Sequence, residues 1–79
     1  MNQPPPTLQA LMVEDEPVYQ DFFKDVFEGM GAGWLLDFAD NGASALTYLK
    51  QRKTPLDLIL VDLGLPDMSG LEVIQQAFQ

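Results

Sequence analysis

The chain has 79 residues, of which 47% are hydrophobic, and carries twelve acidic against four basic residues for a formal net charge of −8. That length makes one domain at most and removes only about 60% of the unfolded surface from water, yet five Phe and abundant aliphatics exceed what a disordered segment carries, so a packed core is expected. The acidic balance excludes direct contact with nucleic-acid phosphates by this segment, and the lack of Cys and His excludes disulfides, thiolate metal sites and the usual histidine base or zinc ligand.

The opening "MNQPPPTLQ" has neither the basic nor the apolar part of a signal peptide, and no apolar run approaches the roughly 18 residues of a membrane span. A cytoplasmic chain without membrane contact is expected. Pro4, Pro5 and Pro6 favour extended polyproline backbone, so residues 1–7 are read as a disordered leader and residues 8–79 as the folded unit. "LQALMV", from Leu8, predicts a first strand. Pro17 suits a first helical turn, with Asp15 and Glu16 at its positive end, and the helix is expected to run to about Met30. Val18, Phe22, Val26 with Phe27, and Met30 recur at steps of four and are read as its buried stripe, with Gln20, Asp21, Lys24, Asp25 and Glu28 mostly facing water. Gly29, Gly31 and Gly33 stop it. "WLLDFA", Trp34 to Ala39, predicts a second strand, and "DNG" at Asp40 to Gly42 a turn. Ala43 to Arg52 reads as a second helix with Ala45, Leu46 and Leu49 inward. "LDLILVD", Leu56 to Asp62, reads as a strand covered on both faces. "SGLEVIQQAFQ" opens a third helix, with Ser69 and Glu72 spaced as a capping box and Leu71, Ile74 and Phe78 as the stripe.

The order β-α-β-α-β-α predicts an α/β fold, a doubly wound parallel sheet with right-handed crossovers; among such sheets the flavodoxin-like one has strand order 2-1-3, and that order is expected here. In such sheets ligands bind beyond the carboxyl ends of strands where the winding reverses, here between the first and third strands. Glu14 and Asp15 end the first and Asp62 ends the third. Three carboxylates at one rim repel one another unless a cation compensates. A hard divalent ion such as Mg²⁺, with oxygen ligands and room for a phosphate, fits that need and points to phosphoryl transfer.

"LMVEDEP" and "LILVDLGLPDMSGLEVI" together resemble the receiver domains of two-component response regulators, over nearly all of Leu8 to Gln79. The acidic pair alone is weak; combined with D-x-x-x-P-x-x-x-G after a third apolar strand it is specific. The resemblance implies that Asp62 is the phospho-acceptor, taking a phosphoryl group from a sensor histidine kinase or a phosphotransfer protein. It implies that Asp15 ligates Mg²⁺ directly, that Glu14, where the family more often has Asp, holds it through water, and that Asp62 and the backbone carbonyl of Gly64 complete the ligands. Pro66 and Gly70 shape the loop. It implies a signalling domain rather than an enzyme, and a DNA-binding output domain elsewhere in the parent as a plausible route to transcription regulation.

The pattern also departs from a complete receiver, whose fourth and fifth strands bring a Ser or Thr hydroxyl and a Lys. Neither falls within these 79 residues, and Lys50 and Lys53 belong to the far end of the second helix, so the sequence reads as the N-terminal part of the domain. An aspartate-based phosphatase fails at Gly64, where its general acid–base Asp belongs. A receiver-shaped interaction module without phosphorylation is the alternative. Glu16 and Asp67 read as solvated or capping residues, and the third strand, left as an apolar edge, predicts dimerisation or aggregation.

Overall fold

A computed structural model describes residues 7–31 and 33–78. The expected leader at 1–7 lies outside them apart from Thr7, which is exposed. Six elements follow in order: β1 Leu8–Val13, α1 Pro17–Gly29, β2 Trp34–Ala39, α2 Gly42–Gln51, β3 Leu58–Val61 and α3 Gly70–Ala77. The three strands form one parallel sheet ordered β2-β1-β3. Leu8 to Val13 pair with Trp34 to Ala39, and Ala10 to Val13 with Leu58 to Val61. The N-terminal part of a flavodoxin-like α/β fold is therefore present, with the expected order.

Side chains alternate across the sheet. Leu11, Val13, Ala39, Ile59 and Val61 join Ala45, Leu46 and Leu49 of α2 and Val73 of α3 in one core. On the other face Met12 and Leu60 line a shallow cleft with Phe23 of α1. The central strand is the most deeply covered element, with Leu11 and Val13 fully buried, as expected of a strand hydrogen-bonded on both sides.

The helix stripes differ from the sequence expectation. Val18 and Phe22 are 67% and 58% exposed, and Val26 and Met30 are also exposed. Phe27 is the buried residue of α1, edge-on to the Trp34 ring with centroids 5.3 Å apart, and Gln20 and Phe23 are half-buried. Each residue turns the helix about 100°, so steps of four drift about 40° and wrap away from the sheet, whereas the 3-4 spacing of Gln20, Phe23 and Phe27 stays on one face. The same geometry operates in α3. Gly70 and Val73 are the covered positions, Ile74 and Ala77 are half-buried, and Leu71 and Phe78 face outward.

β3 is shorter than the expected Leu56 to Asp62, and all four of its residues are only half-buried. Two-sided coverage is thus incomplete, because β1 is its only partner strand among the described residues. α2 starts one residue earlier than read, with Asn41 accepting the Ser44 N–H at 2.8 Å. Ser69 does the same for the Glu72 N–H at 3.2 Å in α3. α1 has no side-chain cap; Glu16 occupies that position, and the turns after the helix place Gly31 and Gly33 at positive φ.

Candidate functional site

The strand ladder delivers the acids. Asp62 N–H donates to the Val13 carbonyl at 3.0 Å and Glu14 N–H to the Ala39 carbonyl at 2.9 Å, which carries the parallel pairing one residue past β3 and β1. Both carboxylates therefore leave the sheet at its C-terminal rim. Asp15 is the next residue, half-buried like Asp62, while Glu14 is 7% exposed. One oxygen from each of Glu14, Asp15 and Asp62 lies within 4.8 Å of the others. Three of the four positions singled out in the sequence thus meet at one point.

The surroundings hold the rim in shape. One Glu14 carboxylate oxygen accepts the Glu16 N–H at 3.2 Å. Gln20 Nε2 donates to the Glu14 carbonyl at 2.6 Å and to the Asp40 carboxylate at 2.9 Å, tying α1 to the ends of β1 and β2. Burial pushes the Glu14 carboxyl above its usual value, and the Asp62 charge and hydrogen bonding to Asp15 and Asp62 add to the rise; the Glu16 N–H opposes it. A buried acid beside two others is destabilised as an anion, which is the electrostatic condition a cation relieves. The donor set is all oxygen and the strands hold it, so it suits a hard ion such as Mg²⁺.

Gly64, the fourth position, stands two residues past Asp62, and its N–H donates to Asp62 Oδ1 at 3.2 Å. It forms an isolated antiparallel bridge with Ser69, and Gly70 N–H donates to the Leu63 carbonyl at 3.1 Å, closing residues 63–70 into a compact loop. Gly70 is there for room. A Cβ would stand 2.9 Å from both the Asp62 carbonyl carbon and Val61 Cγ1, and closer still to the Asp62 carbonyl oxygen. Lys50 is exposed in the last turn of α2, and Lys53 lies just beyond it.

Gln20 carries no local sequence signal: it reads as a solvent-facing helix residue until the fold brings it to Glu14. Asp67, read as solvated or capping, does cap, but at a helix distant in sequence: its carboxylate accepts the Gly42 and Ala43 N–H groups at the start of α2 at 2.8 and 2.9 Å.

A family profile for the response regulator receiver domain matches residues 10–78. The chain belongs to the response regulator receiver family. Among curated relatives, this receiver is 30% identical over 69 residues to the two-component response regulator ORR41 of Oryza sativa subsp. japonica, covering 87% of this chain and 54% of that protein. It is 33% identical over 67 residues to the probable transcriptional regulatory protein TcrX of Mycobacterium tuberculosis, covering 85% of this chain and 27% of that one. A CheY-like receiver from Methylobacillus flagellatus superposes with a TM-score of 0.80 at 35% identity, over 91% of this chain and 58% of that chain. The solved complex of the histidine kinase ThkA with the response regulator TrrA matches at a TM-score of 0.74 and 33% identity, over 89% of this chain and 57% of that chain. The chain thus spans little more than half the length of three of these proteins and about a quarter of the TcrX protein. Receiver domains are signalling domains of two-component systems that bind Mg²⁺ at an acidic pocket and interact with histidine kinases. Among the described residues no helix is long and apolar enough to cross a membrane.

Proposed function

We propose that this receiver accepts a phosphoryl group on Asp62 in a Mg²⁺-dependent reaction, with a phosphohistidine of a sensor kinase or phosphotransfer protein as donor. The observation that supports it is the meeting of Glu14, Asp15 and Asp62 within 4.8 Å at the strand ends. Asp15 and Asp62 are the direct carboxylate ligands in this reading, Glu14 acts through water, and the Gly64 carbonyl is the fourth protein contribution. The ion supplies charge neutralisation for the incoming phosphoryl oxygens.

A carboxylate oxygen of Asp62 attacks phosphorus in line. The new O–P bond forms as the P–N bond to the donor imidazole breaks, and the electron pair leaves on the imidazole nitrogen. β3 and its hydrogen bond to Val13 hold the nucleophile at the rim, and the Gly64 N–H on Oδ1 restricts its rotation. A pre-positioned nucleophile needs less ordering in the transition state.

Relatives that are themselves described as transcriptional regulators support an output at transcription, through a segment beyond this domain. Labelled acetyl phosphate tests the reading. Incorporation that needs Mg²⁺ and disappears in Asp62→Asn supports it; no incorporation, or incorporation indifferent to that substitution, leaves a receiver-shaped interaction module instead.

A further inference from the structure

Asp67 stands apart from the three rim carboxylates, exposed in the middle of the β3–α3 loop, yet it makes two short hydrogen bonds to backbone in a different element. Its two carboxylate oxygens accept the Gly42 and Ala43 N–H groups, one each, at 2.8 and 2.9 Å. These are the first two residues of α2, whose leading N–H groups have no partner within the helix. The helix already has its own cap, because Asn41 accepts the Ser44 N–H at 2.8 Å. Asp67 is therefore an external strut that joins the loop to the helix across 25 residues of sequence. The two N–H groups hold its carboxyl below the usual carboxylate range.

The neighbouring contact repeats the junction. A Cβ at Gly42 would stand 3.1 Å from Met68 Cε and closer still to Met68 Cγ and Sδ, so the Met68 side chain lies directly on the start of α2. Gly64 bridges to Ser69 and Gly70 N–H reaches the Leu63 carbonyl, which folds the loop upon itself, and Leu65 anchors it in the core. The Asp67 and Met68 contacts add a second attachment, to the start of α2. Gly64, exposed and held through its backbone to Asp62 Oδ1 and Ser69, takes its position from both.

We propose that Asp67 is a positioning residue for the cation site, a strut from the start of α2 that sets the Gly64 carbonyl relative to Glu14, Asp15 and Asp62. The assignment rests on the reading of those groups as a divalent-cation site. Its physical basis is general: groups that hydrogen-bond a metal's ligands typically change metal affinity about 10- to 100-fold when removed, and Asp67, which acts one step further out through the loop, is expected at the low end. Asp67 acts through Gly64 and has no contact with the phosphoryl group in this account.

The test uses the 79-residue chain with Mn²⁺ as the probe, read by water-proton relaxation, and with amide hydrogen exchange of the ion-free protein in parallel. Asp67→Ala is expected to weaken Mn²⁺ binding about tenfold. Asp67→Asn keeps one carbonyl acceptor and falls between Asp67→Ala and the parent. Asn41→Ala is the control, because it removes a cap from the same helix while leaving the strut, and it is expected to leave Mn²⁺ affinity within about twofold, since it touches no part of the loop. In the exchange arm, Asp67→Ala speeds the amides of residues 63–65 and Asn41→Ala does not. Equal losses of affinity in Asp67→Ala and Asn41→Ala reduce Asp67 to a helix cap and overturn the proposal, as does unchanged affinity in Asp67→Ala. Absence of any Asp62-dependent Mn²⁺ binding in the parent chain overturns the cation reading on which the proposal rests. The exchange arm remains decisive for the strut alone, and unchanged loop exchange in Asp67→Ala would refute it.

Discussion

Gly70→Ala places a methyl group where the first residue of α3 meets the acceptor strand, and the structure lets its cost be worked out. The added Cβ stands 2.9 Å from the Asp62 carbonyl carbon and from Val61 Cγ1, and nearer to the Asp62 carbonyl oxygen, against an ordinary carbon–carbon separation of about 3.5–4.0 Å. Backbone cannot rotate out of the way, so α3 or the end of β3 must retreat by roughly 0.5–1 Å, a displacement taken from the same van der Waals comparison. Overpacking of this kind costs about 1–3 kcal/mol, and the gain from replacing helical Gly by Ala returns at most about 1 kcal/mol. A clash this close with backbone takes the upper end of that range, so the net loss is about 2 kcal/mol, or roughly a 30-fold shift in the folding equilibrium, in a chain whose total is on the order of 4–12 kcal/mol. Gly42→Ala is the comparison. Its new Cβ meets only the Met68 side chain, which is flexible enough to yield, so its cost stays below about 1 kcal/mol. Urea denaturation followed by far-UV circular dichroism measures both. A Gly70→Ala midpoint equivalent to less than about 0.5 kcal/mol of loss, or a larger loss in Gly42→Ala, would refute the packing argument.

Asn41→Ala removes the side-chain acceptor for Ser44 N–H and is expected to cost about 1 kcal/mol in the same denaturation assay. The pH dependence follows from two shifts of opposite sign. Glu14 has its pKa raised above 4.5, so the folded chain keeps a proton the unfolded chain has released; that stabilisation is complete below 4.5 and fades as pH rises through the folded value. Asp67 is lowered below 3.8, and its contribution is present above 3.8 and lost as pH falls through the folded value. Cation-free stability should therefore decline as pH rises above 4.5 through the folded Glu14 value, and Glu14→Gln should flatten that slope in urea titrations across the range. The open edge at β3 and the exposed Val18, Phe22, Val26 and Met30 on α1 predict self-association of the 79-residue chain. Light scattering behind size-exclusion should show mass rising with concentration, and a monomer throughout would count against it.

How far the sequence carried the fold depends on which physical signal each element used. The strands came from apolar runs, and the parallel sheet from their alternation with helices, which leaves few topologies once crossovers are short and right-handed; the order 2-1-3 was taken from the flavodoxin-like fold. The acids were legible because two of them follow an apolar strand directly and the third ends another, so topology alone brings Glu14, Asp15 and Asp62 together. The buried faces of α1 and α3 were not legible. Steps of four from Val18 to Met30 form an apolar stripe, but of it the sheet covers only Phe27, joined by Phe23 from outside it, and residue type cannot tell an apolar face that is covered from one that is not. Gln20 as a participant, and the helix that Asp67 caps, were missed for a different reason. The partners of these two side chains lie six residues away at the Glu14 carbonyl and 25 residues away at Gly42, and backbone partners leave no mark in side-chain pattern.

The central claim is that Asp62 forms an acyl phosphate. Acetyl phosphate and Mg²⁺ followed by borohydride reduction convert a phosphorylated aspartate to homoserine, which peptide mass spectrometry locates by position. The account predicts homoserine at position 62 in the Mg²⁺-treated chain and none when the ion is chelated. Homoserine at another aspartate, or none at all while a second receiver handled in parallel is modified, would contradict it.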